Sequence, residues 1–229
     1  MRLRNVPNAF EKLAASDNYI RDPQSYKGHW HEYFGNINPV HTEIGSGKGR
    51  FITDLAQQNP DINYIALEKY PSVLLKLIRK IPENGLKNLA VISLDAEKLE
   101  EVFENGEIEK LYLNFSDPWP KKKHIKRRLT SPNFLELYKR ILTKGSVMEF
   151  KTDNRGLFDY SVNEIRKSGF MITKITYDLY SSDLLGGNTA TEYEEKFHQL
   201  GTPINKLIAR LEDAGTAQKS KPDIKETEK

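Results

Sequence analysis

Segments typical of strands alternate with segments of helical spacing along most of the chain. The predicted strands are 40–44, 63–68, 89–94, 110–115, 146–150 and 170–177. The predicted helices between them are 50–58, 72–80, 97–103, 132–142 and 158–167. Strands that are separated by helices favour a mostly parallel, doubly wound α/β sheet with helices on both faces. With 229 residues, the chain is long enough for one such domain with a substantial core.

The two ends of the chain differ from this alternating part. Residues 1–38 are basic and rich in aromatic side chains, with one helix-like stretch at 8–15 and no clear strand pattern. Residues 212–229 have mixed charge and few apolar side chains, so we expect a disordered tail there. The sequence therefore predicts an N-terminal basic arm at 1–38, an α/β domain at 39–211 and a tail at 212–229.

The absence of cysteine excludes several kinds of site. Disulfides, thiolate zinc sites, iron–sulfur clusters and thiol nucleophiles all need this residue, and the chain has none. His29 and His31 could form a metal pair, but no third ligand is evident, so we assign them a structural role and expect no metal. No apolar run approaches the ~20 residues that span a bilayer. We therefore expect a cytoplasmic protein without a membrane partner, as a monomer or homodimer.

A glycine-rich loop follows the first predicted strand. The segment reads Glu43-Ile-Gly45-Ser-Gly47-Lys-Gly49 and leads into a predicted helix. Glycines let a ligand approach the backbone, and the free N–H groups at the start of a helix can bind it. In a doubly wound sheet this loop would lie at the carboxyl edge, where ligands bind, although it could also be a plain strand-to-helix turn.

Acidic side chains follow the next two strands. Glu68 could accept the hydroxyls of a ribose, and Asp95 could accept an adenine amino group or serve only as a helix N-cap. The glycine spacing differs from the Gly-x-Gly-x-x-Gly of nicotinamide sites. Glu43 would repel a pyrophosphate but would suit the cationic methionine end of S-adenosylmethionine. We therefore predict S-adenosylmethionine as the cofactor, with an NAD-dependent oxidoreductase as the alternative.

A rigid acidic turn and a basic run follow the fourth strand. Pro118 and Pro120 stiffen the turn that carries Asp117 and Trp119. The turn brings a carboxylate to the same sheet edge as the glycine loop, unless it is purely structural and Trp119 is a core plug. The run 121–128 holds seven Lys, Arg or His residues among eight. It favours contact with the phosphates of a polyanion, unless it is only a solvated loop.

Four motifs together resemble the bacterial tRNA (guanine-N7-)-methyltransferases. They are Glu43-Ile-Gly-Ser-Gly-Lys-Gly49, Asn114-Phe-Ser-Asp-Pro-Trp-Pro-Lys121, Phe150-Lys-Thr-Asp-Asn154 and Thr191-Glu-Tyr-Glu194. The resemblance spans residues 1–211 and implies the class I, Rossmann-like methyltransferase fold, with an added antiparallel strand near the C-terminus. It also implies methyl transfer from S-adenosylmethionine to N7 of a guanosine in the variable loop of tRNA.

The loop motif and the resemblance together give each site residue an expected role. The residues expected to contact S-adenosylmethionine are Glu43, Gly45, Gly47, Gly49, Glu68, Asp95 and Asp117, and Asp117 is also the expected catalytic residue. The residues implied to contact the guanosine are Lys121, Asp153, Thr191, Glu192, Tyr193 and Glu194. The residues implied to touch RNA are Lys123, His124, Ile125, Lys126, Arg127 and Arg128, and Lys122 joins them by its place in the run. Without the resemblance, Asp153-Asn154 would be interpreted as a helix cap after a strand, and 191–194 as a solvated strand or helix start.

The chemistry at N7 needs no general base. This atom carries an in-plane lone pair and no proton at neutral pH, so alignment and electrostatics are the main work of the enzyme. Asp117 and Asp153 are the candidates for stabilising the ring as it becomes cationic. Because N7 lies in the deep groove of an RNA helix, we expect the target base in a loop or displaced from its stack. A methyltransferase of amino-adenine and a non-catalytic RNA-binding protein are the remaining alternatives.

Overall fold

The computed structural model describes residues 6–83 and 85–212 of the chain. Eight strands form one sheet in these residues. In chain order they are β1 (Tyr19–Ile20), β2 (Val40–Ile44), β3 (Asn63–Glu68), β4 (Leu89–Ser93), β5 (Ile108–Asn114), β6 (Leu142–Thr152), β7 (Phe170–Thr176) and β8 (Asn205–Leu211). Across the sheet they lie in the order β1-β4-β3-β2-β5-β6-β8-β7.

Helices cover both faces of this sheet. The α-helices of the described residues are α1 (Ala9–Leu13), α2 (Trp30–Phe34), α3 (Arg50–Gln58), α4 (Pro71–Ile78), α5 (Leu99–Val102), α6 (Pro132–Ile141), α7 (Arg155–Lys167) and α8 (Glu192–Gln199). Short 3₁₀ helices lie at Pro23–Tyr26, Ala96–Lys98, Lys122–Arg127, Leu179–Ser181 and Asp183–Leu185. Helices α1, α3 and α4 bury apolar side chains on one face, and α2, α5, α6 and α7 do so on the other. No helix in 6–83 or 85–212 is long and apolar enough to cross a membrane.

The strand order reverses beside β2. From β2 the chain moves outward through β3 and β4, and it then returns to place β5 and β6 on the other side of β2, all in parallel. Parallel neighbours need crossover connections, which the intervening helices provide. The carboxyl ends of β2 and β5 therefore flank a topological switch point, which is where ligands bind in sheets of this kind.

The C-terminal strand runs against the others. β8 lies between β6 and β7 and is antiparallel to both. The prediction of a mostly parallel, doubly wound sheet with an added antiparallel strand near the C-terminus is therefore confirmed.

The N-terminal arm contributes to the sheet, which the sequence did not predict. Residues Tyr19–Ile20 pair in parallel with β4, although 1–38 shows no clear strand pattern in the sequence. Two residues are too few to show the alternation by which a strand is recognised. Trp30 is 1% exposed and donates its indole N–H to the Val102 carbonyl at 3.0 Å, which fixes α2 against the core.

Some element boundaries also differ from the predicted ones. The helix predicted at 158–167 begins earlier, at Arg155, because the Asn154 side chain caps it by accepting the Leu157 N–H at 2.8 Å. The division into an arm at 1–38, a domain at 39–211 and a tail at 212–229 stays a prediction. Residues 213–229 of that tail lie outside the described residues.

Candidate functional site at the carboxyl edge of the sheet

A cavity of about 850 Å³ opens at the carboxyl ends of the central strands. It lies at the switch point beside β2 and β5. Predicted site residues in its wall are Gly45, Gly47, Glu68, Asp95, Asp117, Arg127 and Tyr193. Apolar parts of the wall come from Leu67, Val73, Leu94, Leu129 and Phe134. The structure therefore brings together residues from the glycine loop, three strand ends, the acidic turn and α8.

The first two glycines of the loop face open space. Gly45 and Gly47 have φ of 77° and 57°, the left-handed region that favours glycine. A Cβ at Gly45 would meet nothing within 4 Å, so the loop leaves room for a ligand against its backbone. The Gly47 N–H donates to Glu68 Oε2 at 3.1 Å, which ties the loop to the end of β3.

Gly49 has a different function from the other two glycines. A Cβ at this position would lie 2.1 Å from Leu77 Cγ, so any side chain would displace α4. Gly49 is also the N-cap of α3 and does not line the cavity. Its expected contact with a cofactor stays a prediction, but close helix packing alone already requires glycine here.

Glu43 is a buried carboxylate with one unused oxygen. It is 2% exposed, and Oε1 accepts a hydrogen bond from Asn114 Nδ2 at 2.8 Å. Oε2 has no hydrogen-bond partner among residues 6–83 and 85–212. Burial raises the pKa of Glu43 to about 7, although the Asn114 hydrogen bond and the charge of Lys151 oppose the rise. A buried acceptor without a donor is suited to a cationic or hydrogen-bonding ligand group.

Glu68 and Asp95 line the cavity and also hold local structure. Glu68 Oε1 accepts the Tyr70 N–H at 3.0 Å, and burial raises the pKa of Glu68. Asp95 accepts the Glu97 N–H at 3.2 Å, so it does act as a helix N-cap. Its other oxygen lies 2.5 Å from Lys69 Nζ. Capping and ligand contact are therefore compatible at Asp95, because a carboxylate has acceptor capacity for both.

The turn that carries Asp117 has a strained backbone and is fixed by hydrogen bonds from Arg128. Phe115 and Trp119 flank Asp117 with φ of 50° and 39°, which is costly for bulky side chains and is common at functional sites. Arg128 donates from Nε to the Pro118 carbonyl at 2.8 Å. Its Nη2 donates to the Trp119 carbonyl at 3.3 Å. Arg128 therefore fixes the turn, a role that the sequence did not predict for a residue of the basic run.

Trp119 is part of the cavity wall and not a core plug. Its ring is half-buried, and Arg127 stacks over it at 5.1 Å from the ring centroid. The His124 ring meets the Trp119 ring edge-on at 5.6 Å. The remaining basic side chains of the run are exposed, namely Lys121, Lys122, Lys123 and Lys126, while Ile125 is half-buried. The run is thus a short 3₁₀ helix with one anchored, one stacked and several solvated cations.

The first turn of α8 contributes Tyr193 to the cavity wall, where its ring lies 5.1 Å from that of Phe115 in the acidic turn. Thr191 caps the helix by accepting the Glu194 N–H at 2.9 Å, so the alternative of a helix start at 191–194 is confirmed over that of a strand. Tyr193 is 45% exposed and lines the cavity. Burial raises the pKa of Tyr193, and the carboxylates of Asp153 and Asp117 raise it further. Asp153 itself is half-buried just after β6.

Two residues of the predicted guanosine set are engaged in ion pairs. Glu192 pairs with Lys48 and Lys80 beside the glycine loop. Glu194 is fully buried and pairs with Lys151 at 2.6 Å. Lys151 has no function predicted from the sequence, although it lies in the motif Phe150-Lys-Thr-Asp-Asn154, two residues before Asp153.

The histidine pair lies outside this cavity. The structure adds Glu32 as a third donor that the sequence did not make evident, with its Oε1 at 3.5 Å from His29 Nδ1. Donor atoms of His29, His31 and Glu32 lie within 4.8 Å of one another, and all three side chains are exposed. Because His29 is the residue before α2 and Glu32 lies in its first turn, the contact is also what an ordinary helix start produces.

Comparison with known proteins agrees with the geometry of the cavity. A family model described as "Putative methyltransferase" matches residues 37–207 of the chain. The chain is 52% identical over 209 residues to a tRNA (guanine-N(7)-)-methyltransferase of Lachnoclostridium phytofermentans, covering 91% of this chain and 98% of that protein. It is 49% identical over 205 residues to a protein of the same name from Bacillus subtilis, covering 89% and 96%.

Solved structures with much lower identity share the fold. The 16S rRNA methyltransferase KamB matches with a TM-score of 0.62 at 16% identity, covering 81% of this chain and 94% of KamB. A 16S rRNA (adenine(1408)-N(1))-methyltransferase of Catenulisporales acidiphilia, in a structure with the cosubstrate SAM, matches with a TM-score of 0.56 at 14% identity. That match covers 86% of this chain and 94% of the other. The predicted class I methyltransferase fold is therefore confirmed.

Proposed function

The chain belongs to the family of tRNA (guanine-N(7)-)-methyltransferases, and we propose that it transfers a methyl group from S-adenosylmethionine to N7 of a guanosine in tRNA. The observation that carries the proposal is one cavity that combines an open glycine loop and a strained acidic turn, with the buried carboxylate of Glu43 hydrogen-bonded to Asn114 in its wall. Relatives with about half of their residues identical across nearly the whole chain support the same reaction.

The residues around the cavity fit S-adenosylmethionine. We assign Glu43, whose Oε2 lacks a partner, to the cationic methionine end. Glu68 is assigned to the ribose hydroxyls and Asp95 to the adenine amino group, because carboxylates accept from such donors. When bound, this cofactor supplies a methyl group on a sulfonium, which N7 of guanine can attack with its own lone pair.

The same carboxylates argue against a nicotinamide cofactor. A pyrophosphate in this cavity would have Glu68, Asp95 and Asp117 in the wall, and Glu43 is hydrogen-bonded to a further wall residue, Asn114. Like charges in a partly desolvated site repel strongly. The class of NAD-dependent oxidoreductases is therefore disfavoured by charge as well as by glycine spacing.

We assign the guanine to the opposite side of the cavity, near Asp117, Asp153 and Tyr193. Carboxylates there can accept the N1–H and amino donors of guanine, a pattern that adenine does not present. They also lower the free energy of the ring as it becomes cationic, since the charge develops beside preorganised anions. Lys121, Thr191 and Glu192 complete the proposed guanosine-binding set, and the main task of all these groups is orientation.

The basic run is the proposed contact for the tRNA backbone. Lys122, Lys123 and Lys126 are exposed, and they follow the acidic turn directly along the chain. Phosphate contacts of this kind give affinity and orientation but little base specificity. His124, Ile125 and Arg127 belong to the same proposed surface.

One experiment separates the proposal from its rivals. Unmodified tRNA is incubated with the protein and methyl-labelled S-adenosylmethionine, then digested and analysed as nucleosides. We expect the label in 7-methylguanosine. Label in a methylated adenosine would instead indicate an amino-adenine methyltransferase, and binding of tRNA without any label would indicate a non-catalytic RNA-binding protein.

Three finer features are part of the proposal. We place the target guanosine in the variable loop, where it is accessible without opening a helix, and mapping of the labelled nucleoside tests this position. We place the protein in the cytoplasm, because the proposed substrate is tRNA, and we propose that it is a monomer or homodimer. Cell fractionation and sedimentation measure location and mass.

A further inference from the structure

Lys151 and Glu194 form a buried ion pair beside the cavity. Both side chains are 0% exposed, and Lys151 Nζ lies 2.6 Å from Glu194 Oε2. Lys151 is near the carboxyl end of β6, two residues before Asp153, and Glu194 is in the first turn of α8, next to Tyr193. The pair thus joins the strand and the helix from which the proposed guanosine-binding groups project.

The lysine is fully used by protein groups. Its Nζ donates to Glu194, to Asn188 Oδ1 at 3.2 Å and to the Thr189 carbonyl at 2.9 Å. An ammonium has three N–H donors, so none is left for a substrate. The Lys151 carbonyl accepts the Phe115 N–H at 2.9 Å, which connects the same residue to the start of the acidic turn.

Glu194 is equally saturated. Oε1 accepts from Asn188 Nδ2 at 2.7 Å and from the Tyr180 hydroxyl at 3.4 Å. Oε2 accepts from Lys151 and from the Thr191 N–H at 3.4 Å, which completes the capping box of α8. These four donors match the acceptor capacity of one carboxylate, so Glu194 has nothing left to offer a guanine.

We propose that Lys151 is a positioning residue for methyl transfer, which holds the loop 188–191 and the first turn of α8 so that Thr191 and Tyr193 face the target guanine. Glu194 then acts through Lys151 and not by touching the base, which departs from the role that the family resemblance implies for it. This inference rests on the proposed function, since it names the residue that orders the guanosine side of the same cavity.

Stability alone does not require a charged pair at this place. Replacing both partners of a buried ion pair with apolar residues of similar volume often leaves stability unchanged or increases it, whereas removing one partner leaves a buried charge unpaired. The double variant K151M/E194M therefore separates folding from positioning. It removes the donor for the Thr189 carbonyl and the capping acceptor while keeping an apolar contact between β6 and α8.

The test compares K151M/E194M with the wild type in three measurements. We expect a folded variant whose unfolding midpoint is lower than that of the wild type, because Asn188 and Thr189 lose hydrogen-bond partners. Its affinity for S-adenosylmethionine should stay within about threefold. At saturating tRNA, kcat should fall by about 10- to 100-fold, because small misplacements of bound groups cost rate at this scale. Amide hydrogen exchange should become faster in 186–200 and stay unchanged in β2 and β3.

A matched control removes a different lysine from the same sheet face. Lys110 pairs with Glu149 at 3.3 Å but lies on β5 away from the loop 188–191. Lys110→Met should leave both kcat and exchange in 186–200 unchanged.

Two results would overturn the inference. Wild-type kcat in a folded K151M/E194M would make the pair merely structural. Loss of guanine methylation in Glu194→Gln, with wild-type exchange in 186–200, would mean that Glu194 contacts the base directly. If the wild type methylates no tRNA, the proposed function fails instead, and the exchange measurement still decides whether Lys151 orders the loop.

Discussion

The two halves of the sheet's carboxyl edge differ in how much hydrogen-bonding capacity they leave unused. On the side of β2, β3 and β4, an open glycine loop and carboxylates with spare acceptor capacity surround the cavity, and Glu43 keeps one oxygen without a partner. On the side of β6 and α8, the buried charges are saturated by protein donors, as in the pair of Lys151 and Glu194. In the proposed reaction, the first half would offer its unused bonding capacity to the cationic cofactor, and the second would use its capacity internally to hold the groups around the target base.

Asp117 stands where the two halves meet, and its removal should have the largest effect. Asp117→Ala should lower kcat by at least about 10²- to 10³-fold, the usual cost of losing one preorganised electrostatic group. Because the Asp117 side chain is exposed, its removal should leave the unfolding midpoint unchanged. The control Asp61→Ala removes an exposed acid at the opposite edge, just before β3. If Asp117→Ala turned over near the wild-type rate, the turn would have only a structural role, and Asp117 would not act in catalysis.

Glu43 tests whether the first half really carries an unpaired acid. Its folded pKa of about 7 exceeds the usual 4.5, so its contribution to stability is complete below pH 4.5 and is lost as pH rises through 7. At about 1.4 kcal/mol per pKa unit, the cofactor-free wild type should lose about 3 kcal/mol over this range. Glu43→Gln should remove that part of the pH dependence. Urea unfolding across the range measures it, and parallel curves for the two proteins would contradict the assignment.

Glu68 tests spare capacity in a carboxylate that is already partly engaged. Glu68→Ala should weaken binding of S-adenosylmethionine by about 1–3 kcal/mol, because ribose hydroxyls and the Gly47 and Tyr70 N–H groups lose an acceptor. Glu68→Gln keeps one oxygen acceptor and should fall between the alanine variant and the wild type. Calorimetry measures the affinity of each variant for S-adenosylmethionine. Unchanged affinity in the alanine variant would mean that Glu68 does not contact the cofactor.

The basic run repeats the contrast between free and engaged charges on a smaller scale. Lys126→Ala should lower the slope of log affinity for tRNA against log salt by roughly 0.7 to 0.9, as expected for one lost phosphate contact. Arg128→Ala should instead lower kcat with the slope unchanged, because this guanidinium is bound to the turn carbonyls. Lys144→Ala, at the opposite edge of the sheet, is the control. Equal slopes for all three variants would place the RNA elsewhere.

The side of β2, β3 and β4 could be predicted from the sequence, because the residues that define it lie in short, local motifs. A glycine loop after one strand and acids after the next two strands can be recognised without knowing the fold, and each lies at the predicted edge. Gly49 shows the limit of this reasoning. Its motif is the same as that of the other glycines, but its need for glycine comes from Leu77 on α4.

The contacts on the side of β6 and α8 could not be predicted, because they join residues that are far apart along the chain. Lys151 and Glu194 are 43 residues apart, and a lysine in a strand normally indicates a solvent-facing position. Arg128 looks like its neighbours in the run until the 3₁₀ helix Lys122–Arg127 turns it back onto Pro118. The resemblance supplied the residues of 191–194, but only packing distinguishes which of them face the cavity.

The insertion of β8 between β6 and β7 has a consequence for how the sheet is completed. Because β6 and β7 do not pair with each other, each keeps a row of unpaired backbone groups until residues 205–211 arrive. Such long-range pairing forms slowly compared with local structure. Until β8 has formed, β6 is therefore an open edge of the sheet, and β7, whose only neighbour is β8, has no partner strand. Aggregation and protease attack on an incompletely folded chain should concentrate at these two strands. The last strand of the sheet protects both of its neighbours in a single closing step.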